Sequence, residues 1–418
     1  MKRLSIAIAG CGVAGLACAT LLRRQGANVV LFDKLETPQP LGSGIILQPV
    51  GLRVLDEIGA GEAIRALGAP IKRLFGKAEP RGNVVLDVRY AARGRDAPCG
   101  LGVHRGALFQ VLYDAALSAG AEIESGRDVI AVRDRRLVFA DGVSASFDLV
   151  IDALGMRSPL SGGAPQPLPF GALWASLDWA GGFDETALEQ RYRQARKMVG
   201  VLPIGKGPPA SSRHAGKMPA VQMCAFFWSL KHSDRAAWQA APLEAWKDEV
   251  RALWPETAPL LAQIARHEDL VFATYAHRTI SDPVSRECVH VGDSWHCASP
   301  QLGQGANMAL LDALALARAL ETQDNLDAAL GEYARMRALH IKLYQLASWM
   351  FTPAYQSDSD AFAFVRDWIM SPLSRAPLAP SVLAALVAGE IGAPLRTIDV
   401  GTLRTQSRPS RSPGSASR

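Results

Sequence analysis

The segment from Ser5 to Leu16, Ser-Ile-Ala-Ile-Ala-Gly10-Cys11-Gly12-Val13-Ala14-Gly15-Leu16, leaves little freedom to the chain that follows it. An apolar strand runs into a glycine-spaced turn, a helical stretch follows, and a second apolar strand, Asn28 to Phe32, ends in Asp33. Each glycine has its own task. Gly10 allows the tight strand-to-helix turn, Gly12 lets the backbone approach a pyrophosphate, and Gly15 lets helix and strand pack closely. Unpaired N–H groups at the helix start, around Val13 and Ala14, then face the phosphates. Asp33 stands about 20 residues on, where a carboxylate accepts from ribose hydroxyls. This is the pattern of a dinucleotide site, and it does not separate FAD from NAD.

A rival use of the same residues is a secretory leader, because Met1-Lys2-Arg3 precedes an apolar run and Ile8-Ala9-Gly10-Cys11 resembles a lipoprotein cleavage box. The apolar run is shorter than the roughly 7 to 15 residues a leader needs, and cleavage would delete the strand on which the helix depends. No other stretch reaches the roughly 18 uninterrupted apolar residues of a membrane span, so a cytoplasmic chain without stable membrane insertion is expected. Six scattered cysteines, with no Cys-x-x-Cys pair, indicate neither a disulfide framework nor a metal site. The net charge of +5 is misleading: Arg404, Arg408, Arg411 and Arg418 fall in an acid-free final segment, and the body carries only +1. Nucleic-acid binding by the body is therefore unsupported. Residues 401–418 have almost nothing to bury and are expected to be disordered.

Along the chain, a Pro/Gly-rich loop (Pro38, Pro40, Gly42, Gly44) precedes a helix through Leu52, Leu55 and Ile58. Ile71 to Val88 alternates as two strands around a turn at Pro80 to Gly82. A helix is expected from about His104 to Ala119, short strands with a hairpin turn at Asp141-Gly142 from Glu122 to Asp148, and an apolar strand from Leu149 to Ala153. Phe170 to Tyr275 differs in character: aromatic strands (Leu173 to Trp179, Val199 to Leu202, Ala220 to Trp228) precede helices at Pro242 to Trp254 and Ala258 to Arg266, suggesting an inserted antiparallel domain. A strand at Cys288 to Val291 returns to the first domain. Helices, including Leu326 to Trp349 and Ser357 to Met370, fill the rest to about Ala393.

A second turn lies almost 280 residues after the first: Val291-Gly292-Asp293-Ser294-Trp295-His296, then Ser299-Pro300-Gln301-Leu302-Gly303-Gln304-Gly305-Ala306-Asn307. It offers a carboxylate at the C-terminal edge of a parallel sheet and, at about Gly305, a helix start aimed at negative charge. Together with Gly42-Ser43-Gly44-Ile45 and His104-Arg105-x-x-Leu108, these motifs resemble the single-component FAD-dependent aromatic hydroxylases of the 4-hydroxybenzoate hydroxylase fold and the related quinone-pathway hydroxylases, over residues 1 to about 375.

The resemblance implies an α/β fold with an α+β insert: a Rossmann-like FAD-binding domain (1–70, 100–165 and 276–325), an inserted antiparallel-sheet substrate domain (71–99 and 166–275), and C-terminal helices (326–400). It places Gly10, Gly12, Val13, Ala14, Gly15, Asp33, Gly44, Arg105, Asp293, Pro300, Gly303, Gly305, Ala306 and Asn307 at the cofactor. Asp33 would hold the adenosine ribose, Asp293 the ribityl chain, and Pro300 to Asn307 would lie along the flavin ring. The implied reaction is hydroxylation of a small aromatic substrate with O2 through a flavin C4a-hydroperoxide, with NADPH or NADH as reductant. Trp174, Met223, Phe226 and Trp228 would roof the flavin. No catalytic acid or base is assigned, with His296 and Tyr192 the general bases to weigh.

One family motif is altered. Where members carry Gly-Ala-Asp-Gly-x-x-Ser, this chain has Ile151-Asp152-Ala153-Leu154-Gly155-Met156-Arg157-Ser158, so Leu154 replaces the Asp linked to FAD and NAD(P)H. A separate reductase therefore stays open. A reductase or dehydrogenase of the same fold and a non-catalytic flavin-binding protein are the alternatives. A halogenase is disfavoured, since no Trp-x-Trp-x-Ile-Pro box is present.

Overall fold

The computed structural model describes residues 4–36, 43–207 and 220–398. Its organising element is a five-stranded parallel sheet in the order Val289–His290, Leu149–Asp152, Ser5–Ala9, Asn28–Phe32, Glu122–Glu124. The central strands are apolar at nearly every position because both faces are covered; Ile6, Ile8, Leu31 and Ile151 are all fully buried. The helices Val13–Arg24 and Gly305–Thr322 pack on one face. A small sheet built from Ala131–Arg133, Arg136–Phe139 and Gly142–Val143 covers the other, through Phe32, Leu137, Phe139 and Val150.

The second layer is a seven-stranded sheet in the order Val271–Ala273, Phe170–Asp178, Val221–Lys231, Lys197–Gly207, Ala187–Arg193, Arg73–Ala78, Asn83–Arg89. It is antiparallel except where Ala187–Arg193 pairs in parallel with Arg73–Ala78, the pair that joins the two chain segments contributing to it. Alternation along these strands separates two faces. On the outer face Leu173, Phe226 and Trp228 pack under the Leu243–Leu253 helix, where Phe226 and Trp228 each meet the Trp246 ring edge-on. On the inner face lie Trp174, Met223, Ala225 and Phe227. The expected roof is thus split by strand register. Trp174 and Met223 face the first domain, while Phe226 and Trp228 are core on the far side.

Two glycines show how close the layers are. A Cβ on Gly44 would lie 2.6 Å from the Ala225 Cβ, and one on Gly102 would lie 2.0 Å from the Pro203 carbonyl oxygen. Both belong to a three-stranded sheet (Gly44–Leu47, Gly100–His104, Ala69–Ile71) that joins the two layers. The sequence reading left out the strands Gly44–Leu47, Gly100–His104 and Ala187–Arg193, and the helix expected from Ala258 to Arg266 ends at Leu261. Beyond them, the 30-residue helix Leu326–Tyr355 buttresses both layers. Pro38, Pro40, Gly42 and the basic segment 401–418 lie outside the described residues. Among the described residues no helix is long and apolar enough to cross a membrane, and no group of three or more His, Cys, Asp or Glu is placed to hold a metal ion.

Candidate active site

The two glycine-acid turns meet at the C-terminal edge of the parallel sheet. Gly10 has φ +105°, and a Cβ there would stand 2.6 Å from the Ala153 carbonyl oxygen; one on Gly15 would stand 2.0 Å from the Gly10 oxygen. Both are demanded by packing. Gly12 differs: it is exposed, and a Cβ there would meet nothing within 4 Å. The Val13–Arg24 helix begins at Gly12 without a side-chain cap, so its first N–H groups have no partner within the helix or on the cap side chain. Gly292, with φ +62°, wedges between this helix and the Gly305–Thr322 helix: its Cβ would lie 3.2 Å from Ala14 and 3.3 Å from Ala309. Residues nearly 280 positions apart thus share one cleft.

The acids sit at the rim and floor of that cleft. Asp33 is half-buried and held by two backbone donors, Cys11 N to Oδ2 at 2.9 Å and Leu35 N to Oδ1 at 3.0 Å, with lone pairs left for hydroxyl donors. Asp293 combines open side-chain surface with a position deep in the protein mass, as expected of a group lining a cleft. That depth pushes its carboxyl pKa up, against the pull of His296 and Arg105. Beside it begins the Gly305–Thr322 helix, also without a side-chain cap, with Gly305 exposed and its Cβ direction 3.9 Å from the Asp293 Oδ1. Two uncapped helix starts, an open glycine and two carboxylates form a cradle whose chemistry fits a flavin dinucleotide: phosphates against N–H groups, hydroxyls against carboxylates.

Arg105 opens its helix as an exposed residue tied back by its N–H to the Ser43 carbonyl at 2.8 Å. Its charge bears on both Asp293 and Tyr275. Tyr275, which the sequence reading did not single out, accepts the Trp174 indole N–H at 2.8 Å. Burial pushes its phenol pKa up to about 12, so it keeps its proton. The pair spans 101 residues, and no local pattern links them.

Ser299 caps the short turn at Pro300, Gly303 turns the loop with φ +61°, and Ala306 is half-buried on the following helix. Asn307, by contrast, is fully buried and spent within the protein. Its Oδ1 accepts Gln48 N at 2.7 Å, and its Nδ2 donates to the Gly303 carbonyl at 2.9 Å. It clamps the loop. Gly44 likewise serves the contact between layers.

Beneath the site lie two buried polar networks. Asp312 accepts Gly292 N at 2.8 Å, His296 Nε2 at 2.6 Å and Arg337 Nε at 2.7 Å. Burial would raise its pKa, but His296 and Arg337 outweigh that and hold it at about 2. The Gly292-Asp293 turn is thereby anchored to two helices. Asp152 is fully buried, accepting the Ser158 hydroxyl at 2.7 Å and pairing with His290 Nδ1 at 2.8 Å. Its other oxygen accepts the Leu154 N–H at 3.0 Å, so the carboxylate is fully engaged by protein partners. Neither base under consideration fits such a role. His296 is locked to Asp312, and Tyr192 is buried, bonded to Gln190 at 2.8 Å, with its pKa driven well up by burial.

Comparison with known proteins agrees with this geometry. Residues 3–152 match the family model described as FAD binding domain. The chain is 27% identical over 393 residues to the aurachin C monooxygenase/isomerase of Stigmatella aurantiaca, covering 89% of this chain and 94% of the relative. It is 26% identical over 406 residues to the 6-hydroxynicotinate 3-monooxygenase of Pseudomonas fluorescens, covering 91% and 98%. The structure of 2-methyl-3-hydroxypyridine-5-carboxylic acid oxygenase shares the fold, with a TM-score of 0.75 at 20% identity over 95% of this chain and 98% of that one. The glycine cradle and paired acids of this chain fit that FAD binding domain, and over most of its length the chain is similar to the monooxygenases named above.

Proposed function

We propose that the cleft takes a small hydroxylated or nitrogen-containing aromatic ring and that the enzyme works as a single component with NADH or NADPH. The observation that carries this reading is the convergence on one cleft of the phosphate-binding turn, the Asp293 turn and the Trp174–Tyr275 pair. The chain divides as 1–70, 100–165 and 276–325 for the cofactor, and 71–99 with 166–275 for the substrate. Gly12, Val13 and Ala14 receive the pyrophosphate, Asp33 the ribose and Asp293 the ribityl hydroxyls, while Pro300 to Ala306 flank the ring. Bound FAD supplies activation of O2 and delivery of one oxygen atom. The protein's share is to orient the ring and exclude water. Tyr275, already accepting from Trp174 and holding its own proton, donates its O–H to an oxygen of the substrate, and Arg105 draws acidic substrates toward the mouth.

The relatives' printed names support the substrate class, since one acts on 6-hydroxynicotinate and another on 3-amino-4-hydroxybenzoate. A second reading, reduction by a partner protein, is favoured by Leu154 and by the engaged Asp152. One experiment separates the two. FAD-loaded enzyme is screened with hydroxypyridine and quinolone acids, phenolic acids and aminophenols for faster NADH or NADPH oxidation, with O2 uptake and product followed together. Substrate-stimulated oxidation with product matching O2 supports the single-component reading. A flavin that neither nicotinamide reduces, with or without ring compounds, overturns it in favour of a partner. Product without O2 uptake would mean a dehydrogenase.

A further inference from the structure

Twelve of the seventeen large apolar side chains that stand exposed among the described residues fall between positions 339 and 382, so the surface is apolar in one region above all. On the Leu326–Tyr355 helix, Leu339, Leu346, Trp349 and Met350 follow helical spacing and share a face. Packed against this helix is Asp360–Val365, continued by a π-turn, where Phe364 and Trp368 lie with ring centroids 6.3 Å apart. Trp349 is 67% exposed and Trp368 52%. The acids around this region are neutralised within the protein: Asp358 by Lys231 at 2.6 Å, Asp360 by Arg196 at 3.1 Å, and Asp367 by Arg366 at 2.7 Å. Cations remain at the rim, with exposed Lys342 and Arg375, and Arg81 5.8 Å above the Trp368 ring. The last described segment passes beside the same helix. A Cβ on Gly392 would lie 3.3 Å from the Leu343 Cδ1, six residues before buried Ile398. Then come Arg404, Arg408, Arg411 and Arg418 with no acid after Asp399.

We propose that this face docks on the surface of an anionic lipid bilayer. Exposed Trp and Phe on a helix face match the level of lipid headgroups, and an apolar face joined to a basic segment supplies the two signals that stable peripheral attachment needs. A second copy of the chain fits less well. It carries the same basic segment and so brings no complementary negative charge. The opposite side of the docking helix holds the site loop, through Gln345 to the Cys297 carbonyl at 3.1 Å and Ser348 to the Ser299 carbonyl at 3.4 Å. Lipid contact thus bears on an element that supports the active site.

The test is co-sedimentation of the FAD-loaded full chain with phosphatidylcholine vesicles and with vesicles also containing phosphatidylglycerol, at low and high salt, alongside light scattering in solution. Expected is binding to the anionic vesicles, weakened by salt, weakened at least about tenfold by deletion of residues 401–418, and lost in Trp349→Ser combined with Trp368→Ser. Both side chains are exposed, so retained flavin absorbance in the double variant confirms that it still folds. Binding blind to lipid charge, no binding by the intact chain, or a solution dimer that the double variant dissociates would overturn the proposal.

Discussion

The floor and the roof of the cleft are made of different materials. The floor consists of backbone: glycines at positive φ, uncapped helix starts, and carboxylates held by N–H groups and buried ion pairs. The roof is made of side chains on a strand, where Trp174 faces inward and its neighbour Leu173 faces away. Backbone features repeat wherever a dinucleotide must be held, so in the proposed function they are the part that holds the cofactor. Side chains on one sheet face can change without disturbing the fold, so in the proposed function they are the part that selects the substrate.

If the floor is rigid because its charges are mutually satisfied, Arg337→Met should have the largest effect. It leaves Asp312 buried against fewer partners, and a loss of about 3–5 kcal/mol in urea unfolding, with weakened FAD retention, is expected. Stability within about 1 kcal/mol of the parent would mean that the network does not anchor the turn. The two sheet faces give the next contrast. Phe226→Ala should cost about 3 kcal/mol or more of stability and leave KM for the substrate unchanged. Trp174→Phe should cost little stability yet raise KM about 3- to 10-fold, by losing the hydrogen bond that orients Tyr275. Equal KM effects from both variants would erase the distinction between the faces.

A smaller effect follows from His290. Burial would lower its pKa, but the bond to Asp152 and the neighbouring Cys288 outweigh this and raise it to about 9. Its pKa in the unfolded chain is about 6.5, so the folded state binds the extra proton between these values. The contribution is full below about pH 6.5 and fades as pH rises through 9, amounting to on the order of 1–3 kcal/mol. Thermal melting from pH 6 to 9.5 should show this decline in the parent and a flatter profile in His290→Gln; parallel profiles would contradict it. The smallest effect expected is from Leu154→Asp. A carboxylate restored on this half-exposed turn should speed flavin reduction by NADH or NADPH in stopped flow, with little change in stability. An unchanged rate would mean that the reductant is not read at this position.

The floor was legible in the sequence because its logic is local. Gly10, Gly12 and Gly15 lie within one turn, and Asp293 follows its strand directly. What the sequence hid was register and pairing across long separations. Phe226 and Trp228 look like roof residues until alternation across the paired strands puts them under the Trp246 helix. The Asn307 side chain is bonded to protein at both ends of its amide, a clamping role that its place in a glycine-spaced loop does not announce. The Trp174–Tyr275 bond and the Asp312 network join segments that no periodicity relates, and the parallel pairing of Ala187–Arg193 with Arg73–Ala78 arises only because two chain segments share one sheet.

The most direct measurement is the flavin content and visible spectrum of the purified chain after reconstitution with FAD, beside those of Asp293→Ala. The parent should carry one FAD per chain, and the variant should retain its fold by circular dichroism while losing FAD affinity or the coupling of O2 uptake to product. A colourless parent that refuses FAD, or an Asp293→Ala variant with normal flavin content and full coupling, would contradict a cradle shared by the two turns.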